Sequence, residues 1–332
     1  MEIAFEEFLG ALEVTRGTVI PVPTHSFYLG GTIQQAMDVY RKTITDGTLE
    51  LYASETITRK WSEWQVAGAI DTYNAPFWFN MLVKPVTTGV APPGGTTSRL
   101  WTFTPIVTSD VQKSATLFFG DPNVQIWQAA YSMADAFTIT SDATGTDPVM
   151  IEINGMGQPM TKVSDPVVPT RAVGDALLPT YMQCWIDTGA GVIGTTEVVS
   201  RLVSATLSAD LTRTRKFLPG GPTSGLSFNR TGVGKRAATS TLRFEVPDTA
   251  EWDLMDAGTP CKVRVRISGA PIAADPGQYH YIQWDIFGIL AEPAWGEFET
   301  TNRTLDVTIT STKDATVGYS WALYVQSNRT TL

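Results

Sequence analysis

Hydrophobic and polar residues alternate singly through much of the second half of the chain. Val203, Ala205, Leu207, Ala209 and Leu211 interleave with Ser204, Thr206, Ser208 and Asp210. A period of two over nine residues is the pattern of a strand with one dry and one wet face. The same alternation recurs at Leu242, Phe244 and Val246, at Val263, Val265 and Ile267, and at Leu305, Val307 and Ile309. A last strand is predicted through Tyr319, Trp321, Leu323 and Val325. Half-wet strands of this kind build antiparallel sheets. Between Val246 and Cys261, Asp248 or Thr249 can cap a short helix that Gly258 ends. The first half carries a counterpart: a strand from Trp61 to Val66, a helical turn or two over residues 71–80, and a strand from Met81 to Val86.

This shared phrase of strand, helix and strand extends outward at an offset of roughly 170–180 residues. Trp101–Thr104 is expected to correspond to Tyr281–Trp284, and Ala136–Thr140 to Leu305–Ile309. The stretch between Pro159 and Pro179, with Pro166 and Pro169 inside it, has no sustained periodicity and reads as a linker. The expected organisation is a first module over 1–165 with an N-terminal arm, a proline-rich linker over 166–180 and a second module over 181–332. Each module is a β-sandwich with one short helix, so the fold class is mostly β.

Composition agrees with strands. Charged residues make up 17% of the chain, and Thr, Ser, Gly and Pro fill the space they leave. Residues 1–8 are acidic where a secretory leader is basic, and no apolar run approaches the roughly 18 residues of a membrane span. The expectation is a soluble protein made in a cytoplasm, with no membrane partner. On that expectation the Asn-Arg-Thr tripeptides at Asn229, Asn302 and Asn328 never meet the glycosylation machinery. The net charge of −9 is uneven: residues 1–165 hold 17 acidic and 9 basic side chains, residues 166–332 hold 16 and 15. Such a protein repels phosphate at long range, which disfavours stable binding of nucleic acid.

Candidate chemistry is sparse. His280 lies in phase with Ile282, Trp284 and Ile286, the place of a hydrogen-bonded core histidine, and His25 has no acid or cysteine at ligand spacing. Gly232-Val233-Gly234-Lys235-Arg236 resembles the end of a phosphate-binding loop, but Asn229 stands where its first glycine belongs and Arg236 where Ser or Thr holds magnesium. Carboxylate pairs at Glu6-Glu7, Glu251-Asp253 and Glu297-Glu299 read as solvated faces, and no serine sits in a nucleophile elbow. Two cysteines, Cys184 and Cys261, make no disulfide framework. The expectation is no enzyme, no catalytic residue, no metal site and no cofactor.

One segment stands out. From Thr212 to Arg236 the chain carries Arg213, Arg215, Lys216, Arg230, Lys235 and Arg236 and no acid. Three readings are open: a solvated hairpin tip, a docking arm for another copy of this acidic protein, or a DNA-binding loop. As an inter-subunit contact, reversal of Arg213, Arg215 and Lys216 to Glu is expected to block assembly and leave the fold intact.

Several stretches, taken in order, resemble a family. They are Arg16-Gly17-Thr18, Tyr40-Arg41, Leu51-Tyr52-Ala53, Trp185, Thr195-Thr196-Glu197, Ser204–Ser208 and Tyr281-Ile282-Gln283-Trp284-Asp285-Ile286. The chain is similar to the tail tube (major tail) proteins of long-tailed bacteriophages. The resemblance implies a virion protein of the phage tail with two tandem tube modules, whose rings stack into the conduit for genomic DNA. It implies partners: other copies of the chain, the tape measure protein and the tail terminator, with DNA in transit through the lumen. Four inner strands per module imply a ring of three chains with approximate sixfold symmetry, or of six chains if there is one module in each. A tandem β-sandwich that binds carbohydrate or a receptor is the alternative that ten tryptophans leave open.

Overall fold

The computed structural model describes residues 2–4, 7–43, 52–106, 108–170, 174, 176–189, 191–218, 226–245, 250–299 and 302–332. The fold is mostly β, with large antiparallel sheets. In the first half, β1 (Glu2–Ala4), β2 (Glu7–Leu12) and β3 (His25–Ser26) precede a long ribbon of β4 (Gly30–Thr43) and β5 (Tyr52–Ala69). Then come α1 (Ala75–Leu82), β6 (Arg99–Phe103), β7 (Ala115–Asp121), β8 (Gln125–Asp142), β9 (Met150–Gly157) and β10 (Thr161–Val163). A 3-10 turn at Pro179–Tyr181 leads to β11 (Met182–Thr188), β12 (Leu202–Asp210), β13 (Arg213–Lys216), β14 (Arg230–Val233) and β15 (Ala237–Glu245). The chain ends with α2 (Ala250–Asp256), β16 (Pro260–Pro271), β17 (Tyr279–Glu299), β18 (Asn302–Thr310) and β19 (Trp321–Ser327).

The antiparallel pairings define an inner sheet in the order β4–β5–β9–β8–β12–β15–β18–β17, with β1 against part of β4. The first four strands come from the first half and the last four from the second, so the order β4–β5–β9–β8 repeats as β12–β15–β18–β17. The outer strands repeat as well. β2–β7–β8–β10 in the first half matches β11–β16–β17–β19 in the second. The join between the halves is an ordinary ladder, with Thr140 opposite Thr206 and Thr138 opposite Ser208.

Two strands belong to both layers. β8 pairs with β7 at its start and with β9 and β12 at its end; β17 pairs first with β16 and β19, then with β18. Strands turn such corners where a bulge sharpens the twist. Bulges lie at Ala134/Ala136 and at Ala291/Ala294, beside Tyr131 (φ 49°) and Glu292 (φ 54°). The left-handed Tyr131 is held by its N–H, which donates to the buried Glu13 carboxylate at 2.8 Å. Thr116 and Gly17 donate to the same carboxylate at 3.0 and 2.7 Å.

The dry faces of both layers enclose one core that includes residues from Phe8 to Val325 and the large side chains of Trp64, Trp78, Trp101, Trp284 and Trp321. Gly155 is part of how this core closes. It stands opposite Trp64 in the β5–β9 ladder, and a Cβ there would lie inside the indole and 2.5 Å from the Met133 carbonyl oxygen. Gly155→Ala is therefore expected to destabilise by about 1–3 kcal/mol, read from the midpoint of chemical denaturation. An unchanged midpoint would show that the indole moves aside at no cost.

Three sequence expectations are corrected. Residues 81–86 are not a strand. Met81 and Leu82 finish α1, and the Asn80 side chain, which donates to Pro76 O and accepts from Val86 N at 2.7 Å, folds the next residues back. β6 is not the partner of β17 in the repeat: it crosses to the second half and extends the outer sheet beside β19, with Phe103 opposite Leu323. The end of β8 occupies the place of the end of β17, and it is β9 that matches β18.

Candidate assembly surface

The wet face of the inner sheet is built by the alternation of its strands. Thr138, Ser208, Thr239 and Thr310 stand side by side across four strands, and Thr140, Thr206, Thr241 and Thr308 form the next row. Thr138 and Ser208 hydroxyls meet at 3.1 Å. Threonine suits a pleated surface with one solvated side, and short hydroxyl side chains keep that surface low. The charges on these rows of β8, β9, β12, β15 and β18 are Asp142, Glu152, Asp210, Glu245 and Asp306 against Arg243. Arg243 is committed to Asp306, to which it donates twice at 2.7 and 3.1 Å. The surface is hydroxylated and acidic.

The sheet has two open sides. Among the described residues, residues 290–299 of β17 pair with β18 alone, and on the far side of β4 only Thr32–Gln34 are covered, by β1. An unpaired strand edge is a template for another chain. The outer part of the β4–β5 ribbon is mostly exposed on both faces and carries Met37, Tyr40 and Tyr52 to the surface.

The six basic residues of 212–236 do not act as one patch. β13 and β14 form a hairpin that folds onto the first half; residues 219–225 of the loop between them lie outside the described residues. Arg213 is fully buried. It donates to Gln112 at 2.9 Å and to Asp110 at 3.2 Å. Arg236 donates to Gln112 at 2.8 Å, and Arg16 reaches Asp110 at 2.6 Å. Burial works to raise the Asp110 carboxyl, and the Arg16 hydrogen bond with the Arg213 and Arg16 charges outweighs it, holding the group below the usual carboxylate range. Arg215 pairs with Glu63 at 2.8 Å and lies 4.6 Å over the Trp61 ring. Lys216, Arg230 and Lys235 are exposed. The hairpin thus braces the base of the β4–β5 ribbon, aided by Lys60 N–H, which donates to Leu226 O at 2.6 Å. Reversal of Arg213 and Arg215 would break bonds within the chain, so the expected intact fold of that triple variant is corrected.

No protein-family model and no curated protein matches the chain.

Other candidates resolve as structure. His25 is buried among Phe27 and Phe77 at 6.0 and 4.7 Å between ring centroids. Arg329 donates to its Nε2 at 2.5 Å, which makes that nitrogen the acceptor and leaves Nδ1–H to donate to Thr24 Oγ1 at 2.8 Å. His280 Nδ1 meets Thr72 Oγ1 at 3.1 Å. Cys184 and Cys261 are both free and buried; burial pushes the Cys184 thiol far up and the Cys261 thiol up to about 11. Glu251, expected on a solvated face, is instead buried and pairs with Arg201 at 2.7 Å. A cleft of about 830 Å³ opens between the hairpin and the wet side of β5 and β9, but both of its exposed-side rings already carry an arginine, Arg215 on Trp61 and Arg59 on Phe217 at 5.0 Å. Among the described residues no group of three or more His, Cys, Asp or Glu side chains gathers at metal distance, and no helix is long and apolar enough to cross a membrane.

Sequence reasoning missed Glu13, Asp110 and Asp275. The buried Asp275 accepts the backbone N–H groups of Thr96, Thr97 and Ser98, tying residues 96–98 of the first half to the second. Nothing in the local pattern distinguishes these acids from solvated ones. The phase of Arg213 with the buried Leu211 was the one available hint of its burial.

Proposed function

We propose that this chain is a structural subunit that closes into rings of the tail-tube kind, with the hydroxylated acidic face of the inner sheet lining a channel for DNA. The observation that carries the reading is the continuous inner sheet, two repeats of four strands joined edge to edge within one chain. The pairing that joins β8 to β12 is the one that would join β17 of one copy to β4 of the next, and closure removes both free edges. The proposed module boundaries, near 165 and 180, fall between β10 and β11.

The dimensions are consistent with a conduit. Strands about 4.8 Å apart and tilted by roughly 40° take about 6.3 Å of circumference each, so the eight inner strands of a chain span about 50 Å. Three chains give a wall about 48 Å in diameter and, after about 10 Å for side chains, a bore of about 38 Å, wide enough for a duplex about 20 Å across. On β8, β9, β12, β15 and β18 the lining is Thr and Ser with five carboxylates and one paired arginine, and on the wet side of β4 and β5 Arg59 and Arg215 are paired with Asp38 and Glu63, so a polyanion meets few uncommitted cations. Exposed Lys216, Arg230 and Lys235 remain as proposed contacts to another copy, and no cofactor has a role in this scheme.

Electron microscopy of the purified protein at high concentration tests the proposal: rings or tubes are expected with no added ligand. A chain that stays monomeric and binds glycan saturably would support the carbohydrate-binding alternative instead.

A further inference from the structure

The two helices hold the same place in the repeated strand order, α1 after β5 and α2 after β15, yet their surroundings differ. All eight residues of α1 are buried: it rests on β8, its Phe77 and Trp78 pack against Phe8, His25 and Phe27, and β19 and β6 of the outer layer of the second half also contact it. α2 rests on β17, and of its seven residues Glu251 alone is buried. Trp252 of α2 is 37% exposed and Trp295 of β17 is 49% exposed. Their rings stack at 5.5 Å with 17° between planes, and the Arg303 guanidinium lies 5.5 Å from the Trp295 ring. Two exposed, rigid aromatic side chains beside an open strand edge have the character of an interface anchor.

The repeat also indicates what covers them. Within the chain, α1 is contacted by β19 and β6, and β10 is the strand of the first half that matches β19. β10 carries the exposed Lys162, whose ammonium lies 5.3 Å from the Trp127 ring. α2 presents Asp253 and Asp256 to the surface and has no basic residue, Glu251 being buried against Arg201, so the exposed charge of the helix is opposite to that of Lys162.

We infer that the Trp252–Trp295 stack is the seat of a second copy of this chain, which docks the flank around its own β10 and Lys162 there. The inference rests on the ring reading and names the contact that would accompany closure of the β17 and β4 edges.

Two variants test it. Trp252→Ala with Trp295→Ala should raise the concentration needed for assembly by at least about tenfold, as loss of a paired aromatic anchor does, and leave the far-ultraviolet circular dichroism unchanged. Trp252→Lys alone, on the exposed side of α2, repeats the test should the double variant fail to fold. Separately, a chain with Met255→Cys mixed with a chain with Lys162→Cys should form, on mild oxidation, a crosslinked species of about 72 kDa, twice 36.1 kDa. The buried native thiols do not compete. If wild-type assembles and both tryptophan variants assemble at the same concentration, or the mixed cysteines fail to crosslink within assembled protein, this inference is overturned and the ring reading stands. If the wild-type chain never assembles, both fall.

Discussion

Lowering the pH from about 6.5 to 5 should cost the folded protein about 2 kcal/mol through His25 alone. Desolvation by burial and then the Arg329 charge lower the imidazole from its usual value to about 3. An unfolded chain takes up this proton near pH 6.5, so between pH 6.5 and 3 the unfolded state binds more protons and stability falls as the pH falls. Above pH 6.5 the contribution is complete. The structure gives the reason for the resistance: Arg329 already donates to Nε2, Thr24 accepts from Nδ1, and Phe27 and Phe77 pack against the ring. A second proton on His25 would face the guanidinium. Arg329 belongs to the C-terminal segment, where it also donates to Tyr73 O at 2.7 Å and sits 4.5 Å from the Tyr73 ring. The link being strained is thus one between the two halves. Denaturant unfolding at pH 7 and pH 5, for wild-type and for His25→Gln, isolates the effect, since few carboxylates titrate in that window. The variant should lose most of the pH dependence, and equal slopes would contradict this account.

Arg213→Ala should destabilise by about 3–5 kcal/mol, the usual consequence of removing one partner of a buried ion pair. The buried Gln112 would lose a donor that no solvent replaces, Asp110 would lose one of its arginine partners, and Arg213→Glu, which sets a carboxylate against Asp110, should be worse. By contrast Lys216, Arg230 and Lys235, all exposed, can be reversed together to Glu within about 0.5 kcal/mol of wild-type stability. Denaturation midpoints of the two sets decide it. If the reversal of Lys216, Arg230 and Lys235 alone abolishes assembly, the exposed side of the hairpin is a contact between copies; if it assembles normally, the hairpin acts as an internal brace and nothing more.

Much of the second half could be read from its period of two, because each of β12, β15, β16 and β18 has one dry and one wet face and so writes its geometry into neighbouring residues. Ala205, Leu207 and Ala209 are buried as the alternation requires. The helix ending at Gly258 (φ 58°) was legible from its terminating glycine, while the expected caps Asp248 and Thr249 lie outside the described residues. What failed was long-range. β8 and β17 each serve two sheets, so one alternation covers two burial patterns, and matching strands by their look paired β8 with β18. β6 reads as a strand but its partner lies more than two hundred residues away. The basic segment looked like a free patch because sequence shows that six cations are near one another and not that Asp110 and Glu63 wait for three of them. The wet face of the inner sheet was half legible: the Thr and Ser of its rows were visible as wet positions, whereas their alignment into rows depends on registers between strands 70 residues apart, as with Thr138 and Ser208.

The native mass of an isolated ring bears most directly on the central claim that eight inner strands per chain close a channel. The account predicts about 108 kDa, three times 36.1 kDa. A ring of twice that mass would contradict the tandem repeat as the closing unit, and a mass that remains at 36.1 kDa at every concentration would contradict ring formation itself.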